Sequence, residues 1–210
     1  MVKQERALRT RETLVRSAAE MFHQEGFTVA SLATISRRAG VSNGALHFHF
    51  ANKAAVADAV EESALARLRA VASDGPKAAD CCLQRLVDAT YRLARELSGD
   101  VVLRAGFELG GDPARSPGVD LRGYWQHWVQ ETLRQAGERG ELRPEVVPEE
   151  AATAVVAGTV GMEVLGTRQP EWLDPRTVGR FWRLLLPTLA PTGLLATLSA
   201  DGVDTEAPQE

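Results

Sequence analysis

Apolar residues recur along this chain at helical spacing. Alternation of apolar and polar residues, the mark of a half-buried strand, does not appear. Leu14, Ala18, Met21 and Phe22 fall at i, i+4, i+7 and i+8, one face of a helix from about Arg9 to Glu25 that Gly26 stops. Ser31 is placed to cap a short second helix running to Arg38, with Leu32 and Ile35 turned inward. Ala39-Gly40-Val41 turns the chain, Ser42 caps a third helix over Asn43 to His49, and Asn52 caps a fourth over Lys53 to about Val71. Asp74-Gly75-Pro76 breaks the pattern. Further helices are predicted near Lys77 to Leu97, Val101 to Leu109, Val119 to Glu138, Pro148 to Thr167 and Pro175 to Leu189, the last kinked or ended early at Pro187. Gly110 to Gly118 and Gly140 to Val147 read as loops, and residues 201–210 as a disordered tail. The fold expected is all-α.

Composition narrows the function. The 210 residues are 44% hydrophobic, enough for a sizeable core, with no apolar run long enough to span a membrane and no secretory signal, so a cytoplasmic protein is expected. Cys81 and Cys82 are adjacent, which suits neither a disulfide framework nor a zinc site. Net charge is −4, but it is unevenly spread: residues 1–53 hold eight Lys or Arg against four Glu, a net +4, which leaves −8 for the rest. A basic head on an acidic body can approach DNA by one end only.

Two short helices joined by a tight turn form a helix-turn-helix, whose second helix can enter a major groove. Ala39 lets the helices approach, Gly40 can take a positive φ, Val41 plugs the core behind them, and Gly44 would bring backbone close to a phosphate. His47 and His49 stand about 200° apart on a helix and cannot share one metal. His47 reads as a surface imidazole that can meet a phosphate or base edge, and His49 as structural. Phe48 and Phe50 are expected to be core and an anchor for the fourth helix. Base-reading candidates are Ser42, Asn43, Ala45 and His47, with Thr34, Arg37, Arg38 and Lys53 on phosphates and Arg6, Arg9 and Arg11 as an N-terminal arm.

The spacing Leu32, Ile35, Ala39-Gly40-Val41-Ser42, Gly44, Phe48, Phe50, Lys53 resembles the DNA-binding domain of tetracycline-repressor-like (TetR family) regulators, over about Arg9 to Ala59. Two positions depart from the usual pattern: Asn43 stands where Lys is frequent and His47 where Tyr is usual. The resemblance implies a DNA-binding domain over 1–53 and a ligand-binding and dimerisation domain over 54–200. It also implies a last helix pair that packs against its symmetry mate as a four-helix bundle. For that pair Ala151, Ala152, Ala154, Ala157, Gly158 and Gly161 allow close approach, and Val178, Phe181, Trp182, Leu185 and Leu189 supply bulk; an intramolecular core is the alternative.

Trp125, Trp128 and Thr132 share a helical face with Leu121, as core or as ligand site. The stretches VSNGALHFHFANK, VVLRAGFEL and VVAGTVGMEVLG, with the Trp-bearing helix, resemble the γ-butyrolactone receptor branch of the family. Such proteins sense diffusible lactones or antibiotics in filamentous actinobacteria. The resemblance places Trp125 against the ligand with Thr159 facing the same cavity. A polar ring with an aliphatic tail needs an apolar tunnel with few donors. Leu86, Leu103, Phe107, Val155, Val156 and Met162 could line it, and Thr159, Gln84 or Gln126 could donate. Glu108 and Glu163 are the sequence's argument for a cationic, multidrug-type ligand instead.

An enzyme is the contrasting class. No glycine-rich cofactor loop, nucleophile elbow or metal-spaced His pair occurs, and His127 has only Glu131 as a helical neighbour, so no cofactor is expected. The reading predicts a dimer that protects a palindromic operator with half-sites about 34–36 Å apart. Footprinting checks it, and equal affinity for scrambled duplex at moderate salt would reject it.

Overall fold

The computed structural model describes residues 2–73, 81–115 and 118–203, and every described element is helical. The chain divides into two compact units: Met1–Leu68 with Asp100–Leu121, and Arg69–Gly99 with Arg122–Glu210. The packing boundary therefore lies beyond residue 53, because most of the fourth helix and a later segment pack with the N-terminal helices.

The first unit holds α1 (Val2–Val29), α2 (Leu32–Arg38), α3 (Asn43–His49), α4 (Lys53–Ser73) up to Leu68, and α6 (Val101–Gly110). Gly26 breaks α1 with φ 77° and ψ 165°, and one further turn follows. The caps fall where the sequence put them. The Ser31 hydroxyl accepts from the Thr34 amide at 3.2 Å, Ser42 from Ala45 at 3.1 Å, and the Asn52 side chain from Ala55 at 2.9 Å. Gly40 takes φ 67° in the turn. Leu14, Ala18, Met21 and Phe22 meet Ile35, Leu46, Phe50, Val56 and Val60, with Val102, Ala105 and Leu109 of α6 closing the same core. Asp100 caps α6 by accepting from Val102 at 2.7 Å, and its other oxygen takes the Arg67 guanidinium at 2.5 Å. α6 comes so near α4 that a Cβ at Gly106 would stand 2.3 Å from the Cβ of Ala64.

The second unit contains α5 (Cys82–Gly99), α7 (Leu121–Glu138), α8 (Pro148–Gly166), a 3-10 turn (Pro170–Leu173), α9 (Pro175–Leu189) and the short α10 (Thr192–Leu195). The predicted Asp74-Gly75-Pro76 break and the Lys77 start of the next helix lie outside the described residues, as do Ser116 and Pro117 of the 110–118 loop. α9 does not end at Pro187 but runs on to Leu189. Arg143 holds that end, donating its amide to the Leu189 carbonyl at 2.8 Å and its side chain to that of Pro187 at 3.4 Å.

Residues 201–203 are not the start of a loose tail. Asp88 accepts from the Val203 amide at 2.9 Å, Tyr91 donates to the Ala200 carbonyl at 3.1 Å, and Asp201 pairs with Arg183 at 2.5 Å. Burial pushes the Tyr91 phenol up to about 12. Residues 204–210 lie outside the described set. Burial likewise pushes the Cys81 and Cys82 thiols up.

Gly106→Ala is expected to cost about 1–3 kcal/mol through overpacking against Ala64. Gly99→Ala, where nothing lies within 4 Å, should change stability by less than about 0.5 kcal/mol. Chemical denaturation of the two variants checks the contrast.

Candidate functional site

α3 is seven residues long, so its faces follow from few contacts. Leu46 and the following Phe50, four apart, take the inward face. Asn43, Gly44, His47 and Phe48 are exposed on the other side, at i, i+1, i+4 and i+5, with Ala45 half-buried. Phe48 corrects the sequence reading: it is 82% exposed whereas Phe50 is 3% exposed. Phe48 stands two positions from both Leu46 and Phe50, and two helical steps rotate a side chain by about 200°. Counting steps along HFHF would have shown it.

The other predicted DNA residues separate into exposed and committed groups. Arg37 is exposed on α2, whereas Thr34 is half-buried, its hydroxyl 2.9 Å from that of Ser31. The Ser42 hydroxyl is exposed but serves as the α3 cap. Arg38 is tied to α1, donating to Glu20 at 2.7 Å and to Gln24 at 3.2 Å. Lys53 is not poised for a phosphate: its ammonium donates to the carbonyls of Phe27, Thr28 and Ala30 at 2.7, 3.0 and 3.0 Å. The chain just past Gly26 leaves those carbonyls without helical partners, and Lys53 supplies the donors. Arg6, Arg9 and Arg11 form no extended arm, since α1 is already helical there. Arg9 pairs with Glu5 at 2.6 Å, and Arg11 lies over the Phe50 ring at 5.1 Å.

Two polar links within this unit have no local sequence signal. His23 Nδ1 on α1 is 3.0 Å from the Glu108 carboxylate on α6. Glu61 on α4, fully buried, takes the Arg115 guanidinium at 2.8 Å, and the Val119 amide lies 3.4 Å away. Arg115 also donates to Asp58 at 2.9 Å. Burial raises the Glu61 carboxyl above the usual range, with the Arg115 charge opposing.

In the second unit the Trp125 indole N–H donates to the Thr159 hydroxyl at 2.9 Å, and that hydroxyl donates to the Val155 carbonyl at 2.8 Å. Trp128 stacks on Trp125 with centroids 5.1 Å apart. Val155 and Met162 are buried on α8 beside this pair in sequence, and Val156 is half-buried. Leu103 and Phe107 are buried on α6 of the first unit. Gln84 is committed to the C-terminal segment, accepting from the Ser199 amide at 2.8 Å, and Gln126 is exposed. The acidic pair proposed for a cation is engaged as well: Glu163 takes Arg122 in a two-pronged pair at 2.9 and 3.0 Å, and Glu108 faces His23. Among the described residues no group of three His, Cys, Asp or Glu side chains gathers to hold a metal. No described helix is long and apolar enough to cross a membrane.

The small-residue stripe of α8 splits between two faces. Ala151 and Ala152 are buried, whereas Ala154, Ala157, Val164 and Leu165 are exposed. On α9, Val178, Trp182 and Leu189 turn inward and Leu184 is 78% exposed. Phe181 of α9 sits on Gly158 of α8, where a Cβ would stand 2.5 Å from its ring.

Residues 14–60 match the family model described as bacterial regulatory proteins, tetR family. Over 208 residues the chain is 33% identical to the A-factor receptor protein of Streptomyces griseus, covering 96% of this chain and 71% of that protein. The chain belongs to the TetR family. Solved structures agree. A γ-butyrolactone receptor, an ArpA-like protein, superposes with a TM-score of 0.78 at 27% identity, covering 91% of this chain and 94% of the other. CprB of Streptomyces coelicolor, determined with its operator sequence, superposes with a TM-score of 0.74 at 29% identity, covering 91% and 94%. As a TetR regulator the protein binds operator DNA and a small molecule and forms dimers, and its relatives are regulators rather than enzymes.

Leu184→Arg places a charge at an exposed apolar position of α9. It is expected to shift sedimentation from dimer to monomer and to weaken operator binding more than about tenfold, or 1.4 kcal/mol. A persisting dimer would move the interface elsewhere.

Proposed function

We propose that this TetR regulator is a cytoplasmic repressor that holds a palindromic operator when empty and releases it when a γ-butyrolactone-like autoregulator or antibiotic binds the second unit. The carrying observation is the buried Trp125–Thr159 hydrogen bond, a polar pair set among apolar residues of α7 and α8. The Thr159 hydroxyl satisfies the indole N–H and itself donates to the Val155 carbonyl. A ligand carbonyl can accept from the indole N–H in place of the hydroxyl, so the pair is stable without ligand yet able to recognise one. Val155, Val156 and Met162 offer apolar surface for an aliphatic tail. A cationic ligand fits less well, because Glu108 and Glu163 already have cationic or imidazole partners.

For DNA, the proposed reading face is Asn43, Gly44 and His47, flanked by Ser42 and Ala45, with Arg37 and Thr34 toward phosphates. Asn can pair with adenine in a bidentate way. Arg38 and Lys53 act on DNA indirectly, by fixing α2 and the end of α1. α4 is continuous from the first unit into the second and serves as the lever. To carry the operator-competent dimer from about 99% to about 1%, the ligand must favour one state by roughly 5.5 kcal/mol.

Trp125→Ala is expected to raise the lactone concentration needed for operator release by at least about tenfold, one step of 1.4 kcal/mol, while operator affinity stays within about twofold. Fluorescence anisotropy with a panel of alkyl γ-butyrolactones measures both, and joint loss of the two would argue against this division of labour.

A further inference from the structure

We infer that Phe48 is a specificity-determining contact of the DNA interface, its ring seated on the 5-methyl group of a thymine in each operator half-site. This rests on the DNA reading above and adds to it a residue that the sequence had assigned to the core.

Phe48 is 82% exposed, and the head's other phenylalanines, Phe22, Phe27 and Phe50, are buried or partly buried against the core. An apolar ring of this size left in water forfeits stabilisation that burial would supply. Its position says what covers it. Phe48 shares one strip of α3 with Asn43, Gly44 and His47, all exposed. A helical side chain lies over the turn before its own Cα, and the residue four back is Gly44. There a Cβ would meet only the Ser42 hydroxyl, at 3.9 Å, so the strip is open in front of the ring. The His49 imidazole stands edge-on to the ring, with centroids 5.3 Å apart and planes at 85°, which limits its freedom before any partner arrives.

The flanks are polar and the head is net positive over residues 1–53, which suits a duplex and disfavours an apolar protein groove. Within a major groove no base face is open for stacking. The one aliphatic group on offer is the thymine methyl, a known partner for phenylalanine. The ring therefore distinguishes thymine from cytosine and from uracil by a methyl contact, while Asn43 and His47 read polar edges beside it.

The test uses the full-length protein and a palindromic duplex that it selects from a random pool. Each thymine is replaced in turn by deoxyuridine, which removes only the methyl, and affinity is read by anisotropy. The wild type should weaken about fivefold at one thymine per half-site. Phe48→Ala should bind the unmodified duplex about tenfold more weakly and lose sensitivity at that thymine, while His47→Ala keeps it. Thermal melts of Phe48→Ala should match the wild type, since the ring packs on little. Wild-type affinity in Phe48→Ala, or an unchanged deoxyuridine profile in it, would overturn the inference. A wild-type protein that selected no sequence would overturn the DNA reading with it.

Discussion

The head is organised around the short turn that follows Gly26. Gly26 breaks α1 with a left-handed φ, and the chain beyond it presents carbonyls that no helix satisfies. One ammonium, that of Lys53, answers three of them and lies 4.6 Å from the centre of the Phe27 ring. Because Lys53 opens α4, this contact fixes the start of the lever helix against the end of the first helix. α2 and α3 lie in the chain between those two points, so the presentation of α3 follows from it.

A second set of contacts gathers at the same ring. Arg115 stands 5.3 Å from the Phe27 centroid and binds Glu61 and Asp58 of α4. Glu61 has no exposure, and a Cβ at Gly118 would lie 2.0 Å from its carboxylate, so the segment leading into α7 passes close against α4 there. A buried ion pair of this kind adds little net stability, yet loss of one partner leaves a charge in the core. Its value is in fixing geometry: α4 and the approach to α7, the helix of Trp125, are tied together within the first unit.

Much of the fold was readable because its signals are local. The helices, the caps at Ser31, Ser42 and Asn52, and the positive φ at Gly40 all depend on residues within four of one another. Resemblance implied that Trp125 and Thr159 face one cavity, and the two share a hydrogen bond. Errors arose where a residue's role depends on a distant partner. Lys53 and Arg38 look like phosphate-binding cations in a basic head, but their acceptors lie 14 or more positions away in sequence. Gln84 looks like a pocket donor until the C-terminal segment returns to meet it.

The sequence by itself determined that the chain is helical, where its helices begin and turn, and that a helix-turn-helix sits in its basic end. Periodicity, capping and charge act over a few residues and need no knowledge of the rest. Only the tertiary structure decided that Phe48 faces outward, that Lys53 and Arg38 brace the head, that α6 packs with the N-terminal helices, and that residues 201–203 close onto α5. Those outcomes depend on which surfaces meet after the chain has doubled back. Burial and partner choice at each of these positions are properties of that meeting, which no short stretch of residues encodes alone.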